Sequence, residues 1–305
     1  MSDLRILLTG CHGLLGQQVV RTMPGKVQIL GADIDEKSLI HGDHFHYAQL
    51  DITRKSDVIQ VCKEFDPDWI INTAAFTLVD ECEIQKEQCW HLNVHGVEYL
   101  SFCARKHKAK LLHVSTDYIF DNTKEIYQES DPANPLNYYG KSKFASENAV
   151  RGCGAEWTIF RTSTLYGVDY LKARENFVTW VIGNLSSGKK IKIVTDQWGN
   201  PTLARNLAEA IWRAIMLNKY GIYNVAGSDI IDRYTFTKTI SEIFRLDGSL
   251  ISPITTESLN QKAPRPYKIG LDVTRAENEL DFHLMGIKEA LDIFKNEYTV
   301  LHRNN

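Results

Sequence analysis

At 305 residues, 43% hydrophobic and 24% charged, the chain is sized for one large α/β domain or two closely joined ones. Its formal net charge of −3 gives no global basic field for nucleic acid, and no stretch has the apolar length of a membrane span. The run from Met1 straight into an apolar strand leaves no room for a signal peptide, and the six cysteines lack metal-ligand spacing, so a cytoplasmic protein with buried reduced thiols and no metal is expected.

Leu4-Arg5-Ile6-Leu7-Leu8-Thr9 followed by Gly10-Cys11-His12-Gly13-Leu14-Leu15-Gly16 predicts a strand, a glycine turn and a helix start. Such a turn lets backbone approach a dinucleotide pyrophosphate while the helix N-terminus offers free N–H groups and positive dipole. Gly10, His12, Gly13, Leu14, Leu15 and Gly16 are therefore candidate cofactor contacts, and Cys11 is the thiol whose oxidation is expected to matter. The helix is expected to reach about Met23, where Pro24-Gly25 stops it. Val27 to Ala32 predicts a second strand ending at Asp33, where a carboxylate can accept hydrogen bonds from the adenosine ribose. Asp35 leaves that alignment open by a residue or two. A third strand is expected at Phe45 to Leu50, with Asp51 reaching the adenine edge, Ile52 packing on it, and a helix through Phe65.

Trp69 to Ala75 reads as a buried strand, and Ala74, Ala75 and Phe76 at its end would line the path of the cofactor. A long helical region follows, then a strand at Leu111 to Ser115, a helix holding Tyr139 to Lys143, and a strand at Trp157 to Arg161. Strands separated by helices imply a doubly wound parallel sheet with ligand at the carboxyl ends of its strands.

Tyr139 and Lys143 stand at i and i+4, on one helical face. A free tyrosine titrates near 10, and an ammonium one turn away favours phenolate. Lys143 is thus expected to lower the pKa of Tyr139 and to bind the nicotinamide ribose, while Tyr139 exchanges the proton of a carbonyl/alcohol pair. Thr116, after Val114-Ser115, is the third member, its hydroxyl binding the reacting oxygen.

Beyond about residue 163 the alternation becomes irregular. Long loops at Gly167 to Asn176, Asp196 to Thr202 and Ala263 to Asp272 alternate with helices near 176–187, 203–218, 234–246 and 286–297. Residues 1–162 are expected to bind dinucleotide, and residues 163–305 to form a smaller substrate lobe with segments returning to the main sheet. Asn176, Gln197 and Arg265, on those loops, are the candidate substrate contacts. Lys189-Lys190 and Arg265 are candidate pyrophosphate partners, a solvated basic face being the alternative for the lysines.

Taken together, these motifs resemble the extended short-chain dehydrogenases/reductases, and within them the dTDP-4-dehydrorhamnose reductase family. The similarity is carried by Asn72-Thr73-Ala74-Ala75-Phe76, Ser115-Thr116-Asp117-Tyr118, Pro135 to Lys143, Arg161-Thr162-Ser163, Asp196 to Thr202, Tyr223 to Gly227 and Arg265-Pro266, nearly the whole chain. It implies a Rossmann-type α/β fold, a nicotinamide cofactor, and reduction of a 4-keto-6-deoxy sugar on a nucleoside diphosphate. It also implies that Thr116, Tyr139 and Lys143 are catalytic and that Asp117 neighbours the substrate. NAD(H) or NADP(H) would serve, with NADH favoured because Asp33 opposes a 2′-phosphate and no local arginine offsets it. The chain departs from the family at Thr164, where tryptophan is usual, and after Arg265-Pro266, where Tyr267-Lys268-Ile269-Gly270 replaces a small polar segment. The sugar, the nucleotide and the oligomeric state stay open, a homodimer being one option. A nucleotide-binding regulatory subunit like that of methionine adenosyltransferase and a nucleotide-sugar epimerase are the alternative functions. A dehydratase is disfavoured because Tyr118 stands where its acid would follow Asp117.

Overall fold

Seven parallel strands form the central sheet: β1 (Leu4–Thr9), β2 (Val27–Asp33), β3 (Phe45–Gln49), β4 (Trp69–Asn72), β5 (Lys110–Thr116), β6 (Trp157–Thr162) and β7 (Gly221–Asn224). Their order in space is β7-β6-β5-β4-β1-β2-β3. This computed structural model describes residues 4–25, 27–171 and 174–303. All four residues of β4 are buried, as are Ile6, Leu7 and Leu8 of β1, because helices cover both faces of the sheet. The order runs outward in both directions from β1, so the crevice past the carboxyl ends of β1 and β4 is where a ligand settles in such a sheet.

Two strand ends differ from expectation. The fourth strand stops at Asn72 rather than Ala75, because Asn72 Oδ1 accepts the Ala74 N–H at 3.2 Å and turns the backbone out of the ladder. The third strand stops at Gln49, one residue early. The long helical region is broken into Val79–Ile84, Lys86–Trp90, a π-helical turn at His91–His95 and Gly96–His107. The later helices lie at Phe177–Ser186, Ala204–Met216, Arg233–Phe244 and Ile287–Arg303, the last longer than expected.

On one face of the sheet Leu15 and Val19 pack with Leu207 and Ile211. On the other, Val58, Cys62, Val97, Leu100 and Cys103 form a second cluster. A third joins Tyr166, Val178, Val181, Leu203, Phe236, Ile240 and Phe294. Parallel two-stranded pairs brace this region, Ile191–Val194 with Ile251–Ile254 among them. All six cysteines are free and buried. Among the described residues no helix is long and apolar enough to cross a membrane.

Candidate active site

The glycine turn has the shape of a phosphate cradle. Gly10 holds φ +74, and a Cβ there would stand 2.7 Å from the Ala74 backbone nitrogen. A Cβ on Gly16 would stand 2.2 Å from Gly10 O, so neither position accepts another residue without displacing backbone. Gly13 starts the helix Leu14–Arg21 and is exposed, with no side chain capping the helix N-terminus. Leu15 is buried in the core while Leu14 is half-buried. Glycine at these positions and an uncapped N-terminus suit a dinucleotide pyrophosphate.

Asp33 ends β2, as the sequence predicts. Its Oδ2 accepts the backbone N–H of His12 at 2.9 Å and its Oδ1 that of Ile34. Asp35 accepts from His12 Nδ1 at 2.7 Å, and His12 stacks on Tyr47. Cys11, His12 and Asp33 bring potential metal ligands within 4.8 Å of one another, but Asp35 and the Leu39 N–H occupy both nitrogens of His12. Burial also pushes the Cys11 thiol up, which opposes both metal binding and easy oxidation. Asp51 turns back onto Thr53. Ile52, expected on the adenine, is buried and packs against Gly96. Ala74, Ala75 and Phe76 are half-buried beside the turn.

The helix Tyr138–Arg151 starts where Asn137 accepts the Gly140 N–H, and it carries Tyr139 and Lys143. Thr116 ends β5, and its hydroxyl, which donates to Asp117 Oδ1 at 3.0 Å and accepts the Tyr118 N–H, lies beside the Tyr139 phenol. Burial pushes the Tyr139 phenol up, and Thr116 only partly offsets this. Lys143 is not among the largest influences on that phenol. Lys143 Nζ is turned to Val114 O at 2.7 Å and to His113 Nε2 at 3.1 Å, and burial pushes its own pKa down to about 8.

Beside this group opens a pocket lined by Asp117, Tyr118, Thr164, Gln197, Trp198 and Arg233. Burial raises the Asp117 carboxyl, while Ser163 Oγ at 2.6 Å, Thr116 and the charge of Arg233 pull it back. Gln197 sits in the wall, its amide held by Thr256 and Gln261. Thr164 occupies φ +37, a strained backbone for a β-branched residue. Trp198, 38% exposed, supplies an aromatic surface in the same pocket.

Two expected substrate contacts are engaged elsewhere. Asn176 caps the helix Phe177–Ser186, accepting from Thr179 and donating to Gly167 O. Arg265 pairs with Asp80 at 2.9 Å, although its neighbour Pro266 lines the pocket. Lys189 and Lys190 are exposed outside it.

Sequence reasoning missed Arg233 and Asn93. Arg233 follows the helix cap Asp232, and nothing in its neighbours signals a pocket. Asn93 holds Phe76 by both its N–H and its C=O, at 2.7 and 3.1 Å, and donates to Ser142. Its position in the π-helical turn permits this.

Residues 4–300 match the family described as RmlD substrate binding domain. The dTDP-4-dehydrorhamnose reductase of Aggregatibacter actinomycetemcomitans is 32% identical over 90% of this chain and 92% of that protein. The crystal structure of the Bacillus anthracis dTDP-4-dehydrorhamnose reductase in complex with NADP superposes with TM-score 0.87 at 30% identity, over 97% of this chain and 99% of that one. Methionine adenosyltransferase 2 subunit beta of Xenopus tropicalis is 31% identical over 94% of this chain and 87% of that protein. With its glycine cradle, its Thr116–Tyr139–Lys143 group and this match over nearly its full length, the chain belongs to the dTDP-4-dehydrorhamnose reductase (RmlD) family of extended short-chain dehydrogenases/reductases.

Proposed function

We propose that this protein reduces the keto group of a 4-keto-6-deoxy sugar carried on a nucleoside diphosphate, using NADH or NADPH. The observation that carries the reading is the placing of Tyr139 beside Thr116, whose hydroxyl bonds Asp117 in the wall of the pocket. The glycine turn and Ala74-Ala75-Phe76 would hold a nicotinamide cofactor, which would supply the hydride. Tyr139, protonated at neutral pH because burial holds its phenol up, gives its proton to the sugar oxygen. Thr116, whose one hydroxyl proton goes to Asp117 in the free protein, turns it to the same oxygen. Lys143, one turn along, contributes positive charge and a donor for the nicotinamide ribose. Thr164, Gln197, Trp198 and Arg233 form the substrate wall, with Arg233 as its cation.

The test is loss of reduced-cofactor absorbance with a panel of 4-keto nucleotide sugars and the matching free sugars. Consumption with the nucleotide forms supports the reading, because remote binding energy is spent at the reacting centre. Equal kcat/KM for free and nucleotide-linked sugar removes it. The Xenopus relative favours a second reading, a regulatory subunit that binds nucleotide without turnover. Tight cofactor binding with no consumption across the whole panel is its signature.

A further inference from the structure

Thr9, Asn72 and His113 lie in register across β1, β4 and β5. Their side chains make one buried row. Thr9 Oγ1 donates to Asn72 Oδ1 at 2.7 Å, and Asn72 Nδ2 faces His113 Nδ1 at 3.0 Å. The Asn72 amide cannot be turned over, because the backbone N–H of Ala74 donates to Oδ1. Nδ2 is therefore a donor toward His113, and Nδ1 must accept. Burial keeps His113 neutral, well below the ordinary histidine range, so its single proton resides on Nε2.

That N–H faces two groups. Ser146 Oγ lies 2.9 Å away and gives its own proton to Lys143 O, so it accepts. Lys143 Nζ lies 3.1 Å away. As an ammonium Lys143 meets a donor there, not a lone pair. As an amine it accepts the N–H, and Val114 O accepts from it in either form. The other ionisable groups near Lys143 are Glu147 on its own helix, neutralised by Arg161 of β6, the Cys89 thiol next to Ser142, and Tyr139 one turn back. Glu147 and Cys89 favour the ammonium; burial and the His113 N–H oppose it.

We propose that His113, fixed as its Nε2–H tautomer by Asn72, is a positioning residue that sets how readily Lys143 holds its proton. The role rests on Lys143 serving the reduction proposed above. Because His113 offers no lone pair, the ammonium protons not taken by Val114 O are directed away from the sheet. Because it offers an N–H, the amine form is also hydrogen-bonded, which eases loss of the lysine proton.

The test uses the full chain without substrate. Nitrogen-15 NMR of histidine-labelled protein is expected to show His113 with Nδ1 bare and Nε2 protonated; the opposite tautomer overturns the proposal. Carbon-13 NMR at Lys143 Cε gives the titration midpoint of the lysine. His113→Phe removes the N–H and is expected to raise that midpoint by about one pH unit. Ser146→Ala leaves the N–H no other acceptor and is expected to lower it. A midpoint unmoved by both substitutions overturns the role, and if His113→Phe does not fold, Ser146→Ala and the wild-type tautomer decide. In turnover the Lys143 limb of the kcat pH profile is expected to follow the midpoint, with KM unchanged. A protein inactive on every nucleotide sugar that shows these shifts retires the reductase reading and keeps the role of His113. An active reductase whose Lys143 does not move does the reverse.

Discussion

Arg161 and Glu147 meet in a two-pronged buried pair, Nε to Oε1 at 3.0 Å and Nη2 to Oε2 at 2.8 Å, which fastens the helix carrying Tyr139 and Lys143 to β6. Arg161 also donates to Glu129 O. Removing one partner strands the other charge out of water. Glu147→Gln is therefore expected to destabilise the fold by about 3–5 kcal/mol in urea unfolding. The double replacement Glu147→Leu with Arg161→Met should recover most of that loss. A double variant as unstable as the single one would show that the pair is not the source.

Tyr139→Phe keeps the ring and its edge contact with Tyr118 but loses the proton. A fall in kcat of roughly 10²-fold or more is expected, with cofactor affinity little changed. Steady-state rates and a fluorescence titration with reduced cofactor read the two effects separately. Near-normal turnover would remove Tyr139 from the chemistry.

Gly16→Ala drives a methyl group into Gly10 O and Cys11 Cα, both backbone atoms on the cradle itself. Cofactor affinity is expected to fall at least about tenfold, with a stability loss of roughly 1–3 kcal/mol from overpacking. Gly25→Ala, with nothing within 4 Å of the new methyl group, is the matched control and should leave both unchanged. Equal behaviour of the two variants would count against the glycine turn as the binding site.

Asp33 sets the cofactor prediction. Its carboxylate is held in place by the His12 and Ile34 amides at the end of β2, where it would oppose a 2′-phosphate. Wild-type kcat/KM for NADH is expected to equal or exceed that for NADPH, and Asp33→Ser should shift the ratio toward NADPH. Strong wild-type preference for NADPH would mean that Asp33 does not face the ribose.

Asp117 gives a pH prediction. Burial raises its carboxyl above the ordinary 3.8, so the folded chain binds this proton more tightly than the unfolded chain does. Its effect on stability is therefore neutral below pH 3.8 and becomes increasingly unfavourable as pH rises through the raised value. Asp117→Asn should raise Tm at pH 7, gain little at acid pH, and lower kcat/KM. An Asn variant with the same Tm advantage at both pH values would show that ionisation is not the cause.

The sequence by itself determined the parts whose geometry closes within a few residues. A strand, a glycine turn and a helix start occupy one stretch, and the spacing of Tyr139 and Lys143 puts them on one helical face whatever surrounds them. Asp33 was legible for the same reason, since a strand end is a local property. Where a side chain goes when several partners are within reach was not legible. Asn176 became a cap, Arg265 paired with Asp80, and Ile52 joined the core, because residues distant in sequence arrived beside them. Arg233 entered the pocket through the packing of a helix whose own pattern reads only as amphipathic. Lys143 shows the division most plainly. Its place on the helix follows from spacing, but its partners follow from the register of β1, β4 and β5, which brings Thr9, Asn72 and His113 into one row. Burial there replaces water by a few fixed dipoles, so proton affinities depend on which atoms the tertiary structure brings within about 3 Å.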